Sequence, residues 1–199
     1  MEQRPLFYIV ISIAAYLLGG FPTGVVLTRR KFGLDVRELG SGNIGATNVT
    51  RVFGWYAGFL VFLIDFLKGA LPLLFLTKIY PEDRWLLTVA ASALVLGHCF
   101  SVYLLLKGGK GVATSLGCIA VVAPWCALAS AGVYVVMLAA TKISAIGSLG
   151  GICACVVYLA VANPPQPIRY LIVGISFVVL VRHRQNINRL LKTFIERQK

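Results

Sequence analysis

The feature that most constrains this chain is a series of long apolar segments separated by short polar loops. Of its 199 residues, 58% are hydrophobic and only 13% are charged, and the mean hydropathy is +0.84. Soluble domains carry about 25% charged residues, so much of this surface must face lipid. Because a helix crosses a bilayer in roughly 20 residues, the chain has room for several crossings.

These segments predict an all-α integral membrane protein with seven transmembrane helices. Pro124 divides an apolar run over residues 112–141 that is too long for one crossing, because proline breaks or kinks a helix. If the two halves of that run do not cross fully, the count is five. No domain boundary appears, so residues 1–199 are predicted to form one domain. The other predicted spans are residues 6–27, 55–77, 85–106, 144–162 and 168–181.

Basic residues are concentrated in alternate loops. With the N-terminus outside, the inner side holds most loop lysines and arginines and the basic tail at residues 182–199, whereas the outer side holds only Arg4, Lys78, Arg84 and Arg169. Positive loops lie on the cytoplasmic side, which predicts an outside N-terminus and a cytoplasmic C-terminus. We read the first span as a retained helix rather than a signal peptide. Topology and anionic ligands explain the net charge of +12 better than nucleic acid does.

A polar loop after the first span is rich in glycine and asparagine and ends in an arginine. Glycine lets backbone N–H groups approach a ligand closely and form an anion-binding nest, and the planar guanidinium of Arg51 suits phosphate. This composition favours a phosphate-binding loop over a plain connector. The candidate residues are Ser41, Gly42, Asn43, Gly45, Thr47, Asn48 and Arg51.

A second glycine-rich turn, at residues 107–114, is predicted to open a helix near Val112. A helix N-terminus attracts anions through its free N–H groups and its dipole, and Lys110 adds a positive charge there. The turn is not a Walker A loop, because Gly111 stands where that motif needs Ser or Thr. On spacing alone, a basic turn without a ligand is an equal alternative. The candidate residues are His98, Gly108, Gly109, Lys110 and Gly111.

A third candidate lies at the inner end of the last span. His183 and Asn186 are three residues apart and are predicted to share a helix face, whereas binding of lipid head groups explains only the arginines around them. Ser144 and Ser148, four residues apart, either face one polar pocket or pack between helices.

Two further groups carry weaker signals. Asp65 and Lys68 lie within a predicted span, where an ionisable residue is a functional candidate by default; an ion pair that neutralises itself is an equal alternative, and we assign neither a catalytic role. The cysteines show no metal-ligand spacing, which predicts small buried side chains and no metal site. They are Cys99, Cys118, Cys126, Cys153 and Cys155.

Four elements, in matching order along nearly the whole chain, resemble the acyl-phosphate:glycerol-3-phosphate acyltransferases, the PlsY family of bacteria. They are residues 40–48 with Arg51, residues 65–69, Gly97-His98 with residues 108–114, and residues 182–184 with 186–190. Ser101 departs from the resemblance, because the family commonly has proline there. Ser144 and Ser148 are spaced one residue wider than usual, so we align Ser148 with the family's site serine and keep Ser144 as the alternative.

The resemblance implies transfer of a fatty acyl group from acyl phosphate to the sn-1 hydroxyl of glycerol 3-phosphate, giving lysophosphatidic acid and phosphate. It implies a seven-helix bundle of the bacterial inner membrane, a site facing the cytoplasm, and no metal, nucleotide or coenzyme A as cofactor. We expect a monomer whose partners are these substrates and membrane lipid, without nucleic acid. The implied polar site is Ser41, Asn43, Asn48, Arg51, Lys110, Ser148, His183 and Asn186.

The residues suit that reaction, because two phosphates held together repel each other unless cations offset the repulsion. Arg51 and Lys110 supply such cations, one for each phosphate in an order that the sequence leaves open. His183 is a candidate base, since an ordinary histidine has a pKa near 6.5; a substrate phosphate is the alternative base. Ser148 and Asn186 would position glycerol 3-phosphate or steady the oxyanion.

An organic-phosphate transporter or channel is the competing function. It predicts anion-binding groups at mid-depth in the membrane or on both of its sides.

Overall fold

The structure is a computed structural model that describes residues 4–196, and the regular elements within that range are all helices. Two short 3-10 helices, Val36–Glu38 and Val102–Leu104, lie between longer α-helices. The α-helices are α1 (Arg4–Gly20), α2 (Thr23–Phe32), α3 (Ala46–Phe53), α4 (Trp55–Ile79), α5 (Arg84–Cys99), α6 (Val112–Val122), α7 (Pro124–Thr141), α8 (Ser144–Ala162), α9 (Gln166–Arg182) and α10 (Arg184–Glu196).

Five segments of the described chain are long and apolar enough to cross a bilayer: α1 with α2, α4, α5, α7 and α8. The other two predicted spans correspond to α6, with 11 residues, and α9, with 17 residues. At 1.5 Å per residue α6 rises only about 16 Å, roughly half of the hydrocarbon core. The prediction of an all-helical membrane protein is confirmed, but that of seven full spans is not. Length and composition support a count of five.

Proline lies at the start of α2, α7 and α9, and the sequence predicted the last two of these boundaries. Pro165 precedes α9, between the predicted spans 144–162 and 168–181. Pro124 begins α7 immediately after α6, as predicted. The first predicted span is instead interrupted, because α1 ends at Gly20 and Pro22 precedes α2. Proline has no N–H and its ring clashes with the preceding turn, which disfavours a continuous helix through Pro22, although α4 continues through Pro72.

The helix α5 is the most enclosed of the long apolar segments and packs against α1, α4, α6 and α9. Glycine allows the closest crossings: Gly19 of α1 lies against the backbone of Leu94, and Gly117 of α6 lies against that of Phe66. Lipid weakens the hydrophobic drive for helix association, so membrane helices rely on such close packing of small residues. A side chain at either glycine would collide with backbone atoms.

A buried polar network connects α4 to the break between α1 and α2. Lys68 Nζ lies 2.7 Å from Asp65 Oδ1, and the Thr23 hydroxyl donates to the same oxygen over 2.8 Å. Lys68 also donates to the carbonyl oxygen of Phe21 over 3.0 Å, which the interrupted helix leaves without a helical partner. His98 Nδ1 is 3.8 Å from Asp65. Of the two alternatives from the sequence, the structure therefore shows the ion pair.

Four cysteines are buried, but Cys153 is exposed, so the prediction of five buried side chains is wrong for that residue. Cys153 and Cys155 are two positions apart in α8. With 3.6 residues per turn, two such side chains point to nearly opposite sides of a helix. Only one of them can face the protein interior.

Candidate active site

A single cavity of about 1240 Å³ brings together residues from all three loops selected from the sequence. Every predicted site residue except Gly109 lies on its wall. These residues are Ser41, Gly42, Asn43, Gly45, Thr47, Asn48, Arg51, His98, Gly108, Lys110, Gly111, Ser148, His183 and Asn186.

The first wall is the glycine-rich loop before α3, and Asn48 holds its shape. The Asn48 amide oxygen accepts from the Ser41 N–H over 2.9 Å, and its NH₂ group donates to the carbonyls of Leu39 and Asn43 over 3.0 Å each. Gly40 and Gly42 lie at φ +60° and +70°, a left-handed conformation that costs glycine little. The loop is thus fixed before any ligand arrives.

Asn48 itself differs from the expectation that it binds phosphate. Its side chain is buried, and its hydrogen-bonding capacity is used by loop backbone, as described above. We therefore assign Asn48 to positioning of the loop. By contrast, Ser41, Thr47 and Arg51 are exposed to the cavity, so their side chains are available to a ligand.

The second wall is the turn before α6, and His98 and Arg182 hold it in place. The His98 imidazole packs against Gly109, where a Cβ would overlap the ring. The Gly109 N–H donates to the His98 carbonyl over 3.0 Å. Arg182 donates through Nη2 to the Gly108 carbonyl over 2.7 Å and through Nε to the Gly109 carbonyl over 3.0 Å. His98 was expected to bind phosphate but is buried beneath the turn, so we assign it to support.

The third wall is the junction between α9 and α10. The sequence predicted that His183 and Asn186 share one helix face. They do not lie in the same helix, because α9 ends at Arg182 and α10 begins after His183. The His183 Nδ1 atom donates to the Val179 carbonyl over 2.8 Å; a carbonyl only accepts, so Nδ1 carries the hydrogen. In the neutral ring Nε2 is then the nitrogen that can accept a proton. Lys110 Nζ donates to Asn186 Oδ1 over 2.5 Å, which joins this wall to the second.

A fourth wall comes from α7 and α8. The Ser144 hydroxyl lies 3.0 Å from Thr47 Oγ1 and 3.0 Å from the Tyr134 hydroxyl, so it links the first wall to α7. Ser148 is buried, lines the cavity, and donates to the Ser144 carbonyl over 3.0 Å. Both serines belong to the site wall, and the choice between them stays open.

Positive charge dominates the polar end of the cavity. Burial and, after it, the nearby guanidinium groups of Arg189, Arg51 and Arg182 together lower the pKa of Lys110 to about 8. Within residues 4–196, none of these four cations forms an ion pair with an acidic residue. An anion placed among them would relieve their mutual repulsion and raise the pKa of Lys110 again.

The neighbouring arginines show the opposite arrangement. Arg29 and Arg37 both contact Asp35 Oδ2 at 2.7 Å, and the hydrogen bond from Arg37 holds the pKa of that carboxyl well below its usual range. One of their two positive charges is thereby neutralised within the protein. Among the described residues, no group of three His, Cys, Asp or Glu side chains is placed to hold a metal ion.

The environment of His183 suits a neutral imidazole. Burial lowers its pKa, and the charge of Lys110 acts in the same direction, although the hydrogen bond to Val179 opposes them. Near neutral pH the ring is therefore uncharged and keeps Nε2 free of hydrogen. A neutral imidazole next to cations is available to accept a proton from a bound hydroxyl.

Three contributors to the site were missed in the sequence. Arg182 and Arg189 lay in the basic tail and in the segment that matches the family, but neither was assigned to the site, and Tyr134 was not singled out within the apolar run over residues 112–141. Spacing carries no signal for Tyr134, because its partner Ser144 lies across a helix hairpin. For Arg189 a signal existed: it lies three positions after Asn186, on the same face of α10.

The other end of the cavity is apolar. Its lining there comes from α4, α6, α7 and α9, and it includes Phe62, Leu116, Ile119, Val135 and Ile175. A cavity with cations at one end and hydrocarbon at the other fits an amphiphile with an anionic head. Fold and site thus define a helical membrane protein that holds a phosphate-bearing lipid or its precursors.

Comparison with known proteins agrees with this class. The family model described as glycerol-3-phosphate acyltransferase matches residues 9–193. The chain is 45% identical over 187 residues to the glycerol-3-phosphate acyltransferase of Anaeromyxobacter dehalogenans, covering 92% of this chain and 93% of the relative. The protein of the same name from Aquifex aeolicus is 42% identical over 189 residues, covering 95% and 96%. The chain therefore belongs to the glycerol-3-phosphate acyltransferase family.

Two solved structures share the fold. The crystal structure of PlsY (YgiH), an integral membrane glycerol 3-phosphate acyltransferase, in its glycerol 3-phosphate form is 41% identical with a TM-score of 0.88. Its lysophosphatidic acid form is 40% identical with a TM-score of 0.85. Each match covers 94% of this chain and 92% of the other. The resemblance to the PlsY family that the loops indicated is thereby confirmed.

Proposed function

We propose that this protein is a glycerol-3-phosphate acyltransferase that takes its acyl group from acyl phosphate. It transfers that group to the sn-1 hydroxyl of glycerol 3-phosphate and releases lysophosphatidic acid and inorganic phosphate. The observation that carries this proposal is the cavity with Lys110 and three arginines close together at one end and an apolar lining at the other. Both substrates bear phosphate, and one also bears a hydrocarbon chain.

The protein works as one domain, residues 1–199, in the inner membrane of a bacterium. The basic loops and tail support an outside N-terminus and a cytoplasmic C-terminus, so the site faces the cytoplasm. Seven crossings remain our proposal, with α6 and α9 as the two short spans. The protein acts as a monomer without a cofactor, because every group that the chemistry needs is on one chain.

The two phosphates bind to separate cations. Lys110 and the N-terminus of α6 bind one of them, assisted by Asn186, which already contacts Lys110. Arg51 binds the other, with hydrogen bonds from Ser41, Asn43 and Thr47. Held this way, two anions approach each other at a cost that the surrounding positive charge offsets.

The reaction then needs one proton transfer. The sn-1 hydroxyl oxygen attacks the acyl carbonyl carbon, the bond from that carbon to the phosphate oxygen breaks, and the hydroxyl proton moves to His183 Nε2. The neutral ring and the hydrogen bond from Nδ1 to Val179 support His183 as this base, and a phosphate oxygen of the substrate is the alternative. Ser148 and Asn186 hold the glycerol backbone or the developing oxyanion, and phosphate leaves without a strong acid.

The competing function, a transporter or channel for an organic phosphate, receives less support. It requires anion-binding groups at mid-depth or on both sides of the membrane. In the described chain, the cations that line the cavity lie in the loops and in α3, α9 and α10 at one end. Asp65 and Lys68, which lie deeper in the bundle, neutralise each other as an ion pair.

The decisive experiment measures phosphate released when purified protein in detergent receives acyl phosphate and glycerol 3-phosphate. We expect release that depends on both substrates and is lost in Lys110→Ala. A parallel reaction with acyl-CoA identifies the donor, because thiol release there would favour coenzyme A. Equal phosphate release by the wild type and Lys110→Ala would overturn the proposal.

A further inference from the structure

The apolar arm of the cavity has a definable floor. Along each helix, the lining residue farthest in sequence from the polar loops is Ile119 in α6, Ser130 in α7, Cys155 in α8 and Ile175 in α9. All four are buried, and their helices contact one another in a closed ring, α6 with α7, α7 with α8, α8 with α9, and α9 with α6. The arm is thus enclosed on its sides at this depth.

The contact between Ser130 and Cys155 closes the ring. The Ser130 hydroxyl lies 3.1 Å from Cys155 Sγ, across the α7–α8 crossing. Gly151, one turn nearer to the polar end, lies against the Ser130 backbone, so the two helices are in close contact there. Beyond them Cys126 and Ala127 belong to the buried core, which leaves no continuation of the cavity.

The arm has the length of a membrane acyl chain. Cys155 lies eleven positions after Ser144 in α8, which corresponds to about 16 Å along a helix. One leaflet supplies half of a hydrocarbon core that is about 30 Å thick, so a phospholipid chain extends roughly 15 Å. A chain whose head sits among the cations therefore reaches the floor with its terminal methyl group.

We propose that Cys155 and Ser130 form the floor of the acyl arm and set the longest acyl chain that the enzyme transfers efficiently. This inference rests on the proposed function, because it assigns the apolar arm to the acyl donor. The two side chains suit the task. Both are small, so they leave the arm open to its full length, and each satisfies the other's polar atom, so the floor stays dry.

The test compares kcat/KM for a series of saturated acyl phosphates that differ by two carbons. In Cys155→Phe the ring fills the end of the arm. Each methylene that no longer fits is expected to lower kcat/KM about fourfold, so the longest donors lose most and the shortest keep their wild-type rate. In Cys155→Ala the floor recedes, and the ratio of rates for the longest and a middle donor rises by up to about fourfold.

The chain supplies a matched control two residues away. Cys153→Phe places the same ring on the exposed side of the same helix and is expected to leave the chain-length profile unchanged. The KM for glycerol 3-phosphate should stay constant in all three variants, because that substrate ends well before the floor. Cys155→Ala keeps the test valid if the larger substitution fails to fold.

Two results would overturn the inference. One is a profile for Cys155→Phe that matches that of Cys153→Phe, which would mean that the chain leaves the arm sideways into the bilayer. The other is an unchanged ratio in Cys155→Ala. Failure of the proposed function is a different result, because the wild type would then release no phosphate with a donor of any length.

Discussion

The molecule encloses two groups of charged side chains, and only one of them is neutralised from within. Between α2, α4 and α5, Lys68 and Asp65 form an ion pair, to which Thr23 and a backbone carbonyl each add one hydrogen bond. In the cavity, Lys110 and three arginines face one another without an acidic partner in the described chain. The paired charges stabilise the packing of helices, whereas the unpaired charges are available to bind an anionic ligand.

The difference shows how to read an ionisable residue inside a membrane protein. An ionisable residue within a span is a functional candidate by default. Asp65 of α4 satisfies that rule, whereas Lys110 lies in the turn before α6. What separates them is the partner, because a buried charge whose partner is on the same chain adds no binding capacity. The comparison predicts that substitutions in the first group alter stability and that those in the second alter activity.

The largest expected effect is on stability, from Asp65→Ala. Removing the carboxylate leaves the Lys68 ammonium buried without compensation, which lowers the free energy of unfolding by about 3–5 kcal/mol. Thermal unfolding in detergent measures it. The matched control is the double variant Asp65→Ala with Lys68→Met, which removes both charges and should recover part of the loss. Equal stability of the single and double variants would show that the pair does not act as a pair.

Next in size is the effect of Lys110→Ala on catalysis. Loss of one preorganised cation from the charged end is expected to reduce kcat/KM by roughly 10²–10³-fold. The unfolding temperature should stay the same or rise, since one of four mutually repelling charges is gone. If instead the variant unfolds early and the surviving folded fraction is fully active, Lys110 belongs with the structural group.

His183→Gln tests the base. If His183 Nε2 takes the hydroxyl proton, kcat falls by about 10²-fold, the usual scale of acid–base assistance, while the KM for glycerol 3-phosphate changes little. The glutamine keeps a donor for the Val179 carbonyl, so the junction between α9 and α10 is preserved. A raised KM with unchanged kcat would assign His183 to binding and the proton to a substrate phosphate.

The smallest effect is a shift in pH dependence. The pKa of Lys110 is lowered to about 8, so the free protein loses this charge as pH rises through about 8, and KM for its phosphate substrate should rise there. On the acid side the lowered pKa of His183 keeps the ring neutral below its ordinary value, so the rate should fall only at lower pH. Lys110→Arg should remove the alkaline rise in KM, because guanidinium stays protonated; persistence of that rise would locate it elsewhere.

Some features of the fold and site follow from local sequence and were therefore predictable. The helix boundary at Pro124 and the range of α8 depend on nearby residues alone. The three loops carry glycine, asparagine and basic residues at spacings that are unusual next to apolar spans, and their side chains do line one cavity. The break at Pro22 was not predicted, because the residues on both sides of it are apolar and hydropathy alone does not mark the end of α1.

Other features depend on contacts between distant segments. Asn48 and His98 look like ligands in the sequence, but one fixes its own loop and the other supports the Gly108–Gly109 turn. Arg182 looks like a tail residue but clamps that turn. A side chain has a fixed capacity for hydrogen bonds, and only the fold shows whether protein atoms have already used it.

By itself, the sequence predicted a helical membrane protein and a set of residues suited to phosphate, with basic loops expected on one side. It did so because hydropathy, charge bias and glycine content are properties of short segments. The tertiary structure decided which charges are paired, where His183 keeps its hydrogen, and how far the apolar arm extends. Those properties depend on contacts between segments that are distant in the sequence, such as Lys110 with Asn186 and Ser130 with Cys155. A local sequence pattern does not predict such contacts.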